Sequence, residues 1–140
     1  MQAESGGPPP GRIGVRVYYE DTDFSGVVYH ASYLRFLERG RTEFLRARGV
    51  GHRELFEAGA GVHFAVRAMT IDFRRPALMD DLLEIETALE AVGGASIDMR
   101  QMVFRGGEAL VCANVRVAVV AGGRAARLPE DLRRRLSGTG

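Results

Sequence analysis

The chain predicts an α+β fold in which a long antiparallel sheet curls around one central helix. Residues 31 to 48 repeat apolar side chains at helical spacing, long strand-like runs follow them, and glycine pairs separate the later runs. A lone helix ahead of so much strand gives the sheet one element to wrap around.

Taken in order, the first eleven residues, MQAESGGPPPG, are rich in Gly and Pro and lack the apolar core of a secretory signal. They predict a disordered tail over 1–11, with a single domain over 12–140. Residues 12 to 19 read as a first strand, with Ile13, Val15 and Val17 alternating against Gly14, Arg16 and Tyr18. The loop Glu20 to Gly26 follows. In the helix, Tyr33, Phe36, Leu37, Gly40, Phe44 and Ala47 share one face, opposite Arg35, Glu38, Arg39, Thr42, Glu43 and Arg46. A glycine in that apolar stripe costs about 1 kcal/mol against alanine, which close approach of helix to sheet would offset. Gly49 and Gly51 stop the helix, and residues 52 to 58 suggest one or two further helical turns. Strands are expected over 62 to 74, 83 to 90, 95 to 105 and 108 to 121, as an antiparallel meander turned by Gly93-Gly94 and Gly106-Gly107. A short helix is expected from Pro129 to Leu136.

Composition sets bounds on function. The chain has 140 residues, 46% hydrophobic and 26% charged, as in an ordinary globular domain. A net charge of +1 argues against a nucleic-acid binder. Every basic side chain is arginine, so a lysine Schiff base is ruled out. No apolar run reaches the roughly 18 residues of a membrane span. The lone Cys112 permits no intrachain disulfide, fits the cytoplasm, and sits in an apolar run that suggests a buried, inert thiol.

The chemistry concentrates where the first strand meets the helix. Glu20, Asp21 and Asp23 lie just before the turn Phe24-Ser25-Gly26, and the helix starts near His30. A carboxylate beside the exposed N–H groups of a helix start suits reaction at a carbonyl. Asp23 could activate water or attack directly, or could simply cap a turn. His30 could orient a substrate or cap the helix, and Tyr19 could support Asp23 or belong to a core or interface. The three carboxylates lack metal-loop spacing, and His52 and His63 stand alone, so no metal is expected.

Tyr19-Glu20-Asp21-Thr22-Asp23, Gly26-Val27-Val28-Tyr29-His30, Tyr33 and Glu38-Arg39-Gly40-Arg41-Thr42-Glu43 together resemble the signature of hotdog-fold acyl-CoA thioesterases. The resemblance is to the 4-hydroxybenzoyl-CoA thioesterase family, and within it to the branch associated with the Tol–Pal envelope system. It implies the hotdog fold, active sites between two subunits of a homodimer or dimer-of-dimers homotetramer, and hydrolysis of acyl-CoA thioesters, short-chain aliphatic or aromatic. It matches the family's catalytic aspartate to Asp23 and not Asp21, its oxyanion donor to the backbone of His30, and its supporting tyrosine to Tyr19. Coenzyme A is then part of the substrate, with no separate cofactor. Arg74, Arg75 and Arg124 are the candidates for its phosphates, with Arg127, Arg67 and Arg105 behind them. Rival readings are a hotdog hydratase or dehydratase, and a non-catalytic protein that binds acyl-CoA or acyl carrier protein or acts as an envelope scaffold.

Overall fold

The structure, a computed structural model, describes residues 10–51 and 61–137. The helical turns expected over 52 to 58, His52, and most of the expected N-terminal tail lie outside the described residues. The first strand, β1 (Gly11–Arg16), is followed by a single 3-10 turn (Tyr19–Asp21) and the long helix α1 (His30–Ala47). Then come β2 (His63–Phe73), β3 (Leu82–Val92), β4 (Ser96–Arg105), β5 (Glu108–Ala121), the short β6 (Arg124–Ala125) and α2 (Glu130–Leu136).

All strand pairs are antiparallel, in the order β1-β3-β4-β5-β2, with β6 adding to β5. β3, β4 and β5 form the expected meander. The expectation that β2 opens that meander is wrong, because β2 pairs with β5 and β1 takes its place beside β3. The connection through Pro76 therefore carries the chain across the sheet. It does so against the loop after β1: Val28 N–H donates to Ala77 O, Met79 N–H donates to Gly26 O, and Val27 bridges Leu78. Bulges at Val66/Ala68 in β2 and at Leu89/Ala91 in β3 sharpen the curl of the sheet.

α1 lies over β1 and β3 and buries Ser32, Tyr33, Phe36, Leu37, Gly40, Phe44 and Leu45. Leu45 thus replaces Ala47, which is exposed, on the inward face. Gly40 is where helix and sheet come closest. A Cβ there would stand 2.8 Å from Ile85 Cγ2, 2.9 Å from Thr87 Oγ1 and 3.0 Å from Gln101 Nε2. Gln101 is fully buried and hydrogen-bonded throughout: Nε2 donates to Leu37 O and Thr87 Oγ1, and Oε1 accepts from Arg41. Burial lowers the pKa of Arg41 by disfavouring its charged form. Cys112 departs from expectation: it is half-buried on the outer face of β5, its Sγ 3.7 Å from Arg100 Nη2.

Candidate active site

The first strand stops at Arg16, short of Tyr19, because Asp21 turns the chain. Its carboxylate accepts the N–H of Tyr18 at 2.9 Å and pairs with Arg35 at 2.9 Å, and the residue is buried. Its carbonyl accepts the N–H of Tyr29 and the hydroxyl of Ser32, which ties the turn to the first turn of α1. Asp21 is thereby committed to structure.

Asp23 has the opposite setting. Residues 22 to 28 close as a small hairpin, with Thr22 bridged to Val28 and Asp23 N–H donating to Val27 O at 2.9 Å. Gly26 adopts φ 84°, a left-handed conformation that glycine takes without strain. At the tip, Asp23 is exposed. Its Oδ1 accepts the hydroxyl and the N–H of Ser25, and these donors hold its pKa below the usual carboxylate range.

His30 is the first residue of α1, and the preceding Tyr29 supplies no side-chain cap. No bond among the described residues takes the backbone N–H of His30 or Ala31, so the positive end of the helix stays open. The imidazole stacks on Phe73, with ring centroids 4.2 Å apart at an interplanar angle of 12°. Phe73 also leans on Tyr33, whose hydroxyl accepts the N–H of Ala77 at 3.0 Å. Burial raises the pKa of Tyr33, keeping the phenol protonated. His30, Tyr33 and Phe73 line a cleft of about 180 Å³ with Val27, Val28, Arg74, Arg75 and Pro76. From the bridge at Val28, Asp23 lies one residue beyond Thr22 and His30 two residues on. An extended chain covers that span in roughly 10 Å. Asp23 itself is not among the residues that line this cleft.

The other candidates are dispersed. Tyr19 is 75% exposed, and its carbonyl accepts from Thr22. Arg74 and Arg75 stand at the cleft but are paired, with Asp72 at 3.0 Å and Glu108 at 3.1 Å. Arg105 is fixed by Asp81 and Glu108. Arg67 falls at the β2 bulge. Arg124 lies at the far end of β5: Arg74 N–H donates to Leu110 O, whereas Arg124 pairs with Ala121. At about 3.3 Å per residue, that stretch of strand separates them by roughly 35 Å within one chain. Among the described residues, no cluster of His, Cys, Asp and Glu could hold a metal ion. Phe73 and Tyr33 escaped sequence reasoning as site residues, since each reads as an ordinary apolar strand or helix position.

A family model described as the thioesterase-like superfamily matches residues 17–136. An acyl-CoA thioesterase YbgC from Haemophilus influenzae is 47% identical over 106 residues, which are 76% of this chain and 77% of that protein. The acyl-CoA thioester hydrolase YbgC of Escherichia coli O157:H7 is 48% identical over 92 residues, 66% of this chain and 67% of its own length. Among solved structures, a probable thioesterase from Bartonella henselae superposes with a TM-score of 0.82 at 46% identity, covering 86% of this chain and 99% of that one. A thioesterase from Thermus thermophilus, complexed with coenzyme A and Zn, gives 0.80 at 29% identity, over 91% and 92%. A sheet curled around one helix, an exposed carboxylate on the loop that leads into an open helix start, and these likenesses place the chain in the thioesterase-like hotdog superfamily, among the YbgC acyl-CoA thioesterases.

Proposed function

We propose that the chain hydrolyses acyl-CoA thioesters, to a free acid and coenzyme A, at the cleft where α1 begins. The observation that carries this is an open helix start led into by a loop whose exposed carboxylate is held ionised by Ser25. The thioester carbonyl is taken by the free amides at His30, which stabilise the charge that develops on its oxygen. Asp23 then either draws a proton from an attacking water or attacks the carbonyl itself to give a mixed anhydride that water opens; the thiol of coenzyme A leaves in both. Single-turnover reaction in labelled water separates the routes, since label carried into Asp23 marks the nucleophilic one. Coenzyme A arrives with the substrate, so no further cofactor takes part, and acyl-CoA supply places the reaction in the cytoplasm.

The unit of function is at least a dimer. β2 has no buried residue and, among the described residues, its outer edge is unpaired, a surface suited to the same strand of a second copy. Antiparallel β2 pairing sets the Phe73 end of one strand near the His63 end of the other. Arg124 of the partner subunit then approaches Arg74 and Arg75 and joins them around the coenzyme A phosphates. A dimer of such dimers and acylated carrier protein as an alternative substrate extend the same reading.

The test is thiol release from an acyl-CoA series at catalytic enzyme concentration, with repeated turnover expected. Tight binding without release favours a scaffold, and hydration of an enoyl thioester without release favours a hydratase.

A further inference from the structure

We propose that Arg35 is a positioning residue: through its ion pair with the buried Asp21 it fixes the hairpin that carries Asp23 against the start of α1. This deepens the thioesterase reading and rests on it. Arg35 lies on the polar side of α1, where a cation reads as one more solvated helix charge. The structure gives it another task. Its Nη2 stands 2.9 Å from Asp21 Oδ1 and 3.3 Å from Ser32 Oγ, and the Asp21 side chain is only 8% exposed.

Asp21 is the joint between three segments. Its Oδ2 accepts the N–H of Tyr18, where the chain has left β1, at 2.9 Å. Its carbonyl accepts the N–H of Tyr29 at 3.0 Å and the hydroxyl of Ser32 at 3.1 Å, both at the start of α1. The hairpin of residues 22 to 28 begins and ends at this joint, since Thr22 follows Asp21 and its bridge partner Val28 precedes Tyr29. These ties use Tyr29 and Ser32 and leave the N–H groups of His30 and Ala31 without a bond among the described residues. A buried carboxylate that loses its counter-ion is costly and seeks water. Without Arg35, Tyr18 N–H is the one donor left to the Asp21 side chain among the described residues. The carboxylate then turns outward, and the main-chain bonds to Tyr29 and Ser32 loosen with it. The hairpin swings on its base, and Asp23 loses its fixed placement relative to the amides of His30.

The experiment measures kcat and KM for acyl-CoA hydrolysis in wild type, Arg35→Gln, Arg35→Lys and Asp23→Asn, and in each Arg35 variant combined with Asp23→Asn. Amide hydrogen exchange is followed in wild type and the Arg35 variants. A displacement of about 1 Å at a reacting group costs about a hundredfold in rate. Arg35→Gln should therefore lower kcat by about ten- to a hundredfold, with KM changing less. The contact to Asp21 is one nitrogen on one oxygen, so Arg35→Lys should keep most, not all, of the rate. In the Asp23→Asn background, Arg35→Gln should cost little more, because residues that act as a unit do not add. The N–H groups of Tyr29 and Asp23, held by Asp21 O and Val27 O, should exchange about tenfold faster in Arg35→Gln, while those in the middle of β4 keep their protection. An equal fall in kcat in both backgrounds makes Arg35 merely structural and overturns the proposal, as does unchanged exchange at Tyr29 and Asp23. If Arg35→Gln does not fold, Arg35→Lys takes its place: a smaller loss of rate confined to the enzyme that keeps Asp23 supports the proposal, and an equal loss, or none, overturns it. Wild type that releases no thiol overturns the thioesterase reading, and exchange at Tyr29 and Asp23 then decides alone whether Arg35 holds hairpin to helix.

Discussion

Two aspartates two positions apart show how far local geometry divides identical chemistry. Asp21 is buried, bound to Tyr18 N–H and paired with Arg35, and it folds the approach to the helix. Asp23 is exposed, and its only side-chain-held donor among the described residues is Ser25. Asp23→Asn should therefore lower kcat by about two to four orders of magnitude, the usual worth of a positioned acid or base. Its melting temperature should stay near wild type, whereas Asp21→Asn should lose stability; thiol release and thermal melting together check the pair. The pH dependence follows from Ser25. Its donors favour the ionised carboxyl, so Asp23 takes a proton only below the ordinary carboxylate range, and the acid limb of kcat/KM lies correspondingly low. Ser25→Ala removes the larger of these hydrogen bonds, so the acid limb should move to higher pH while the rate at neutral pH is retained. A pH–rate profile of the two proteins reads this directly, and an unmoved limb assigns it to another group.

At the scale of elements, α1 and its seat on the sheet were largely legible, and the decisive residue is Gly40. The apolar stripe demanded close approach, and the structure leaves no room there for a methyl group. Gly40→Ala gains about 1 kcal/mol of helix propensity but forces the helix off Ile85, Thr87 and Gln101, overpacking that costs about 1–3 kcal/mol. The net expectation is a lower urea midpoint, against the gain that an exposed helix glycine would show. The strand order was legible only in part. Alternation and glycine pairs fix where β3, β4 and β5 begin and turn, because those signals are local. Nothing local in residues 62 to 74 says which strand β2 joins, since its pairing with β5 is decided by the crossing at Pro76 and the competing claim of β1 on β3. The same limit hid part of the site. Asp23 and His30 are close in sequence and were found there, whereas the Phe73–His30 stack and the Tyr33–Ala77 bond join residues 43 and 44 positions apart.

For the whole molecule, the decisive feature is the edge of β2, which is unpaired among the described residues. Such an edge exposes a row of amides and carbonyls, and soluble proteins cover or charge it. Here the strand beside it carries apolar side chains, with Val66 and Phe73 exposed. On the same molecule, Tyr18, Tyr19, Phe24, Tyr29, Leu78 and Met79 are exposed on the loops near the cleft. In the proposed dimer a second copy paired along β2 would cover the edge and carry its own Arg124 toward Arg74, an approach that roughly 35 Å of β5 forbids within one chain. Val66→Asp places a charge on β2 beside its bulge and should turn the proposed dimer into monomers, as read by sedimentation velocity. If the coenzyme A phosphates are shared between subunits, KM should rise with dissociation and fall again as protein concentration drives reassociation. Arg124→Ala offers the complementary test, raising KM while leaving the dimer intact. A monomeric wild type with full activity would confine the site to one chain and leave Arg124 outside it.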